Sequence, residues 1–332
     1  MNWFVYRLPG EKKIIAGSSK RLLQGCGHAA GFVVAPFDGD PAETFTIPDD
    51  KIVDVNRLPR QPEAATGFRL SARSTTRAEH RNAVTAVIES INSGIIEKCV
   101  IARSIVNDYM VDVHDTFTKL CNELPDAFVF AFDTDRTGLW MGASPEILVT
   151  KQGGKLHSMA LAGTRPAGSV EEWDAKNLRE QEVVRQFVET SLGDLMLNVN
   201  CGETHTLVAG PVEHISTEIT GTEMPDQNVD LCEAAAKLSP TPALSGYPRR
   251  EAIKLIRHNE TFDRAYYGGY CGPIEANGDG RLFVNLRSMQ VEDCRYCLYV
   301  GGGIMGDSEP DVEWDETERK ATTLQKNIEY IP

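Results

Sequence analysis

Phe128-Val129-Phe130-Ala131-Phe132-Asp133, Thr137-Gly138-Leu139-Trp140-Met141-Gly142-Ala143, Glu146-Ile147-Leu148-Val149-Thr150-Lys151 and Lys155-Leu156-His157-Ser158-Met159-Ala160-Leu161-Ala162 follow one another with only short turns between them. Apolar stretches of this length, bounded by Asp, Gly and Pro, read as strands. Parallel neighbours would need a crossover, usually a helix, and there is no room for one. The stretch therefore predicts successive strands in a meander. It favours an α+β fold with antiparallel sheets over a doubly wound fold.

The pattern extends outward in both directions. Residues 1–75 read as short strands (3–8, 13–16, 31–35, 44–47) punctuated by Pro and Gly. Residues 76–95 predict a helix, with Val84, Val87, Ile88 and Ile91 on one face and Gly94 near its end. A strand over 98–106 and a helix over 115–124 lead into the meander. Residues 171–195 predict a long helix, with Leu178, Val183, Val184, Phe187, Val188 and Leu192 apolar. Strands over 198–214 follow, then helices over 230–238 and 249–259. Strands over 265–274, 281–291 and 297–302 precede a closing helix over 311–328. No internal repeat, low-complexity tract or linker interrupts the 332 residues. Residues 1–75 read as a strand-rich part of the same fold, and 76–332 as the region that carries the chemistry.

Composition narrows the function classes. Hydrophobic residues make up 41% of the chain, enough for a sizeable core. No run approaches the ~18 apolar residues of a membrane span. The start, Met1-Asn2-Trp3-Phe4-Val5-Tyr6-Arg7, has no basic region followed by an apolar stretch, so no signal peptide is expected. The net charge of −14 argues against nucleic-acid binding, which needs clustered Lys and Arg. Eight cysteines are scattered, and Cys294 and Cys297 form a CxxC with no second pair and no nearby His. A reduced cytoplasmic protein with buried thiols is the expectation.

Gly301-Gly302-Gly303-Ile304-Met305, then Asp307-Ser308-Glu309-Pro310, then Glu313-Trp314-Asp315-Glu316-Thr317, suggest a site. A glycine loop lets backbone approach a ligand and presents free N–H groups. Pro310 suits the first turn of a helix, capped by Ser308 or Glu309. Glu313 and Glu316 then share one helix face. Such a pair suits an anionic ligand held through a divalent metal, although Glu pairs on helices are usually solvated.

Five further stretches bear on that choice: Lys98-Cys99-Val100-Ile101-Ala102-Arg103, Gly142-Ala143-Ser144-Pro145-Glu146, Leu161-Ala162-Gly163-Thr164-Arg165-Pro166, Ser239-Pro240-Thr241-Pro242-Ala243-Leu244-Ser245-Gly246 and Phe262-Asp263-Arg264-Ala265-Tyr266-Tyr267-Gly268-Gly269. In order and spacing, these and the glycine segment resemble the chorismate-utilising enzymes, which include isochorismate, salicylate, anthranilate and aminodeoxychorismate synthases. The resemblance runs from about Lys98 to Lys320. It implies one large two-lobed unit with two facing antiparallel sheets, outer helices and an active site between the halves.

The resemblance also implies roles. Lys98 stands where the water-adding members carry a general base, and the amine-using branch generally has Gln. Glu146 corresponds to the general acid that protonates the departing C4 hydroxyl. Glu180, Glu313 and Glu316 correspond to ligands of Mg²⁺. Gly163, Thr164, His214, Ala243, Arg287, Gly302, Gly303 and Lys320 match substrate-binding positions, and Tyr267 is expected beside the substrate. Arg287 can grip a carboxylate with two parallel hydrogen bonds. Each has a plainer reading: Lys98 a surface lysine, Glu146 an exposed strand end, Arg287 a cross-strand ion pair, His214 a satisfied core histidine, Lys320 a partner of Glu316. Three positions depart from the pattern. Gln181 replaces a usual His, Asn177 stands where some members have an acid, and Ser239 replaces the His before Pro-Thr-Pro-Ala.

Within the family, Ala162 stands where aminodeoxychorismate synthases place a nucleophilic Lys, and no glutaminase segment is present. Lys98 leaves isochorismate and salicylate synthases. Ala243 favours the isochorismate formers, since salicylate formers tend to have Thr. The expectation is a menaquinone-type isochorismate synthase acting on chorismate with Mg²⁺, with no glutaminase subunit, nucleic acid or membrane partner. Salicylate synthase, or a degenerate chorismate-binding protein without activity, is the alternative.

Overall fold

A computed structural model describes residues 1–26, 29–38, 41–61, 70, 73–209 and 212–331. The strands are β1 (Asn2–Arg7), β2 (Ile14–Ser19), β3 (Leu23–Gln24), β4 (Gly31–Ala35), β5 (Phe45–Pro48), β6 (Lys51–Ile52), β7 (Lys98–Asn107), β8 (Phe128–Thr134), β9 (Gly138–Ser144), β10 (Ile147–Gln152), β11 (Lys155–Pro166), β12 (Asn198–Cys201), β13 (His205–Ala209), β14 (Val212–Thr222), β15 (Gly246–Tyr247), β16 (Tyr270–Ile274), β17 (Gly280–Val284), β18 (Ser288–Glu292) and β19 (Arg295–Ile304). The helices are α1 (Arg77–Asn92), α2 (Val113–Glu123), α3 (Ala175–Gly193), α4 (Leu231–Leu238), α5 (Arg249–Asn259) and α6 (Pro310–Gln325).

Two antiparallel sheets result. One runs β15-β7-β19-β18-β9-β8-β1-β2-β6, the other β12-β14-β11-β10-β17-β16-β4-β5-β3, with β13 added on β14. The N-terminal strands are members of both sheets: β1 pairs with β8, and β4 with β16. Between the sheets lies an aromatic layer of Phe4, Phe32, Phe128, Phe130, Phe132, Trp140 and Phe283, each no more than 2% exposed. Phe128 and Phe283 stack at 4.0 Å across the layer. Burying one such ring contributes roughly 2 kcal/mol, so this layer is what holds the sheets face to face. A second cluster packs α1, α3, α4 and α5 on one side, and a third packs α2.

The structure corrects several sequence readings. The meander is two hairpins: β8 pairs with β9 in one sheet, β10 with β11 in the other. The chain passes between sheets at Ser144-Pro145-Glu146. The apolar run over 281–291 likewise breaks into β17 and β18 in different sheets. Its break, Asn285-Leu286-Arg287, bonds to the turn over 265–269 that was read as strand: Gly268 N donates to Asn285 O and Asn285 N to Gly269 O, both at 2.8 Å. The strand expected over 297–302 runs on through Gly303 as the end of β19, with Gly301, Gly302 and Gly303 opposite Ala102, Ile101 and Val100 of β7, so the glycines form no loop. Finally, Cys26 and Cys232 are joined as a disulfide, whereas Cys99, Cys271 and Cys297 are buried free thiols. Leu178, read as apolar core, is 47% exposed. No described helix is long and apolar enough to cross a membrane.

Candidate active site

Lys98 opens β7 with its side chain buried. Its ammonium donates to Oε1 of Glu180, on α3. A Cβ on Gly303 would stand 3.1 Å from Lys98 Cε, 3.5 Å from its Nζ and 3.6 Å from Glu180 Oε1. A Cβ on Gly302 would stand 3.2 Å from Glu313 Oε2 and 3.8 Å from Glu316 Oε1. Lys320 Nζ donates to the Gly301 carbonyl at 2.9 Å and pairs with Glu316 Oε1 at 2.6 Å. The end of β19 is thus the common neighbour of Lys98, Glu180, Glu313, Glu316 and Lys320. A Cβ at Gly302 or Gly303 would press on these side chains.

The carboxylates feel each other and their cations. Burial alone would push Glu180 up, but the charge and hydrogen bond of Lys98 outweigh it and hold the carboxyl low. Glu313 is pushed up, by burial first and also by Glu316, against the opposing Ser308 hydroxyl. Two partly desolvated carboxylates that repel one another are relieved by a cation, and oxygen-only donors suit a hard one. Glu180, Glu313 and Glu316 offer the oxygen donors that such a cation takes. In this arrangement Glu180 turns to Lys98 and Glu316 to Lys320, so they surround Gly302 and Gly303 rather than converge.

Glu146 follows the passage from β9 to β10. Burial pushes its carboxyl up to about 7, although the charges of Lys98 and Arg287 both pull it down. Near neutral pH it is poised to hold a proton. Arg287 stands in the passage from β17 to β18 with a left-handed φ of 46°, and its carbonyl accepts from Ala143 N at 3.1 Å. Tyr267 is buried, stacks on Tyr299 at 5.6 Å and feels the charge of Glu146. The segment carrying Ala243 is tied to β7: Val100 N donates to Ser245 O at 3.0 Å. Gly163, with φ +71°, accepts from His214 Nδ1 at 2.9 Å and packs on Asn177. Asn177 and Glu180 are three apart on α3, so this pair adjoins the same helix face. The side chain of Thr164 lies outside the described residues.

The departures have local explanations. Gln181 is buried and donates to Thr217 Oγ1 at 2.7 Å, toward β14. Ser239 lines a cavity of 70 Å³ with Phe37, Thr44 and Tyr270. Two contributors escaped the sequence reading. Lys176 acts electrostatically on Glu180 and Glu313; its place one turn before Glu180 could have revealed it. Arg264, paired with the equally buried Glu260, donates to Leu244 O at 2.9 Å and Val100 O at 2.8 Å, clamping the Ala243 segment to the Lys98 strand. Nothing in sequence distinguished that pair from a surface i,i+4 bridge.

The family model described as "Chorismate binding enzyme" matches residues 43–329. The chain belongs to this family. Among chorismate-binding enzymes it is 30% identical to the vibriobactin-specific isochorismate synthase of Vibrio cholerae, covering 93% of this chain and 83% of that one. It is 30% identical to the isochorismate synthase MenF of Bacillus subtilis, covering 72% and 53%. The fold matches the menaquinone-specific isochorismate synthase MenF of Escherichia coli with a TM-score of 0.80, at 19% identity over 99% of this chain and 89% of that one. The two-sheet α+β architecture is the one this family shares.

Proposed function

We propose that this chain is an isochorismate synthase, an isomerase that converts chorismate to isochorismate with Mg²⁺. The observation that carries the reading is the carboxyl of Glu146, held near neutrality beside Lys98 and Arg287. Lys98, after releasing one ammonium proton to solvent, takes a proton from water as the oxygen bonds to ring C2. The ring double bonds shift, the C4–O bond breaks, and Glu146 gives its proton to the departing hydroxyl. One water enters and one leaves, so the atoms balance. Arg287 orients a substrate carboxylate, and Gly302, Gly303 and Lys320 bound the site. A bound Mg²⁺, held by Glu180, Glu313 and Glu316, supplies positive charge against the anionic substrate. Relatives named for vibriobactin and for menaquinone are both among those matched. We keep the menaquinone type as the proposed branch, and isochorismate is the product common to both.

The test is incubation with chorismate and Mg²⁺, with chromatography and a coupled pyruvate assay. Isochorismate in a mixture with chorismate is expected, with pyruvate only at background, because Ala243 lacks the Thr hydroxyl and methyl of lyase members. Excess chelator should stop turnover and Mg²⁺ restore it. Lys98→Gln should lose roughly 10²–10⁴-fold in rate. Stoichiometric pyruvate and salicylate would instead make it a salicylate synthase, and a wild-type rate in Lys98→Gln would remove the base from this scheme.

A further inference from the structure

Cys26 Sγ, Cys232 Sγ and a carboxylate oxygen of Asp230, none of them among the residues proposed above, all lie within 4.8 Å of one another. They come from two segments brought together only by the fold, since the cysteines are 206 residues apart. Cys26 lies just beyond β3, and Cys232 in the first turn of α4. Asp230 is the N-cap of α4. Its Oδ1 accepts from Cys232 N at 2.7 Å and Glu233 N at 3.1 Å. Those two bonds fix the carboxylate in place, and its Oδ2 accepts none among the described residues. The peptide dipoles at the start of α4 favour anions there.

We propose that, with the two thiols reduced, Cys26, Cys232 and Asp230 bind one thiophilic divalent ion of the zinc class. Two thiolates and a carboxylate are a donor set Zn²⁺ accepts, with water completing four-coordination. The 5.6 Å Cα separation of the cysteines sets both sulfurs beside a single ion as readily as it sets them in a bond to each other. The two states exclude one another. A dithiol or phosphine reductant supplies two electrons and opens the disulfide. The thiols then lose their protons to the solvent as the metal binds. Either state links the edge strand β3 to α4, the helix that runs directly into Ser239–Ala243.

Co²⁺ serves as the probe, because thiolate coordination gives it a charge-transfer band that carboxylate binding does not. Full-length protein, reduced and freed of reductant without air, should develop this band with one equivalent of Co²⁺, and Zn²⁺ should displace it. The oxidised wild type should show no band, a comparison that needs no substitution and so no concern for folding. Cys26→Ser/Cys232→Ser should abolish it, and Asp230→Ala should weaken Zn²⁺ binding by at least ~10-fold. The absence of a band in reduced protein, an equal band in the double-serine variant, or unchanged affinity in Asp230→Ala would each overturn the proposed site.

Discussion

Glu146 keeps a proton to about pH 7 because its surroundings disfavour the charged form, despite two neighbouring cations. The sign of the pH dependence follows. The acid is in its donating form below that value and lost above it, so kcat/KM should fall as pH rises through neutrality. Glu146→Gln keeps the shape but has no proton to give, and should lose roughly 10²–10⁴-fold in kcat. A pH–rate profile flat through neutrality, or full activity in the variant, would remove the acid role. Gly303 is the second sensitive residue. Gly303→Ala places a methyl 3.1 Å from Lys98 Cε, tighter than ordinary contact. The fold should survive, since β19 remains paired with β7, while kcat drops at least ~10-fold as Lys98 and Glu180 shift. Urea midpoint and turnover measured together separate the two effects. From sequence Gly301 and Gly302 were legible both as a close-approach site and as the end of a strand over 297–302, while Gly303 was left outside the strand. Glycine's backbone freedom is the same in either setting, and what fills the space beside it is decided by residues far along the chain.

The helix carrying Glu313 and Glu316 is held from behind. His80 of α1 is buried, meets Trp314 of α6 edge-on at 5.5 Å, and has no hydrogen-bond partner on either ring nitrogen among the described residues. Arg103 lies 3.8 Å from the same indole. Burial, with a contribution from Arg103, pushes His80 down to about 4. The unfolded chain protonates it near 6.5, so between those values the unfolded state binds more protons. Stability is then lost as pH falls through that window, by up to about 3 kcal/mol from this group. Urea unfolding at falling pH should show the loss, and His80→Phe should flatten it; an unchanged slope would contradict the account. Helices α1 and α5 were legible in full because their ends are chemically marked. Thr76 and Glu79 form a capping box, and Pro248 precedes α5. The first part of the predicted 171–195 helix lacks such a mark, and the helix begins only after Asp174 caps it.

At the scale of the whole molecule, alternation and turn residues revealed most strands, though not β3, β6, β15 or the greater part of β14, and not which sheet each joins. A link as short as Ser144-Pro145-Glu146 serves a hairpin or a passage between sheets equally well. The apolar run through Asn285 hid a second passage for the same reason. Glu146 and Arg287 occupy these passages, Tyr267 lies in the turn bonded to the second, and Lys98 meets Gly303 only when β7 and β19, nearly two hundred residues apart in sequence, have paired. This arrangement has a kinetic meaning. Contacts between distant parts of a chain form late and slowly, because long loops must close first. The groups proposed for catalysis cannot gather in a partly folded intermediate, even one whose hairpins are already made. Refolding from denaturant should therefore recover the far-ultraviolet strand signal ahead of chorismate turnover, and turnover should return together with burial of the Phe128–Phe283 layer. Simultaneous recovery of the strand signal and activity would mean that the sheets close as fast as they form.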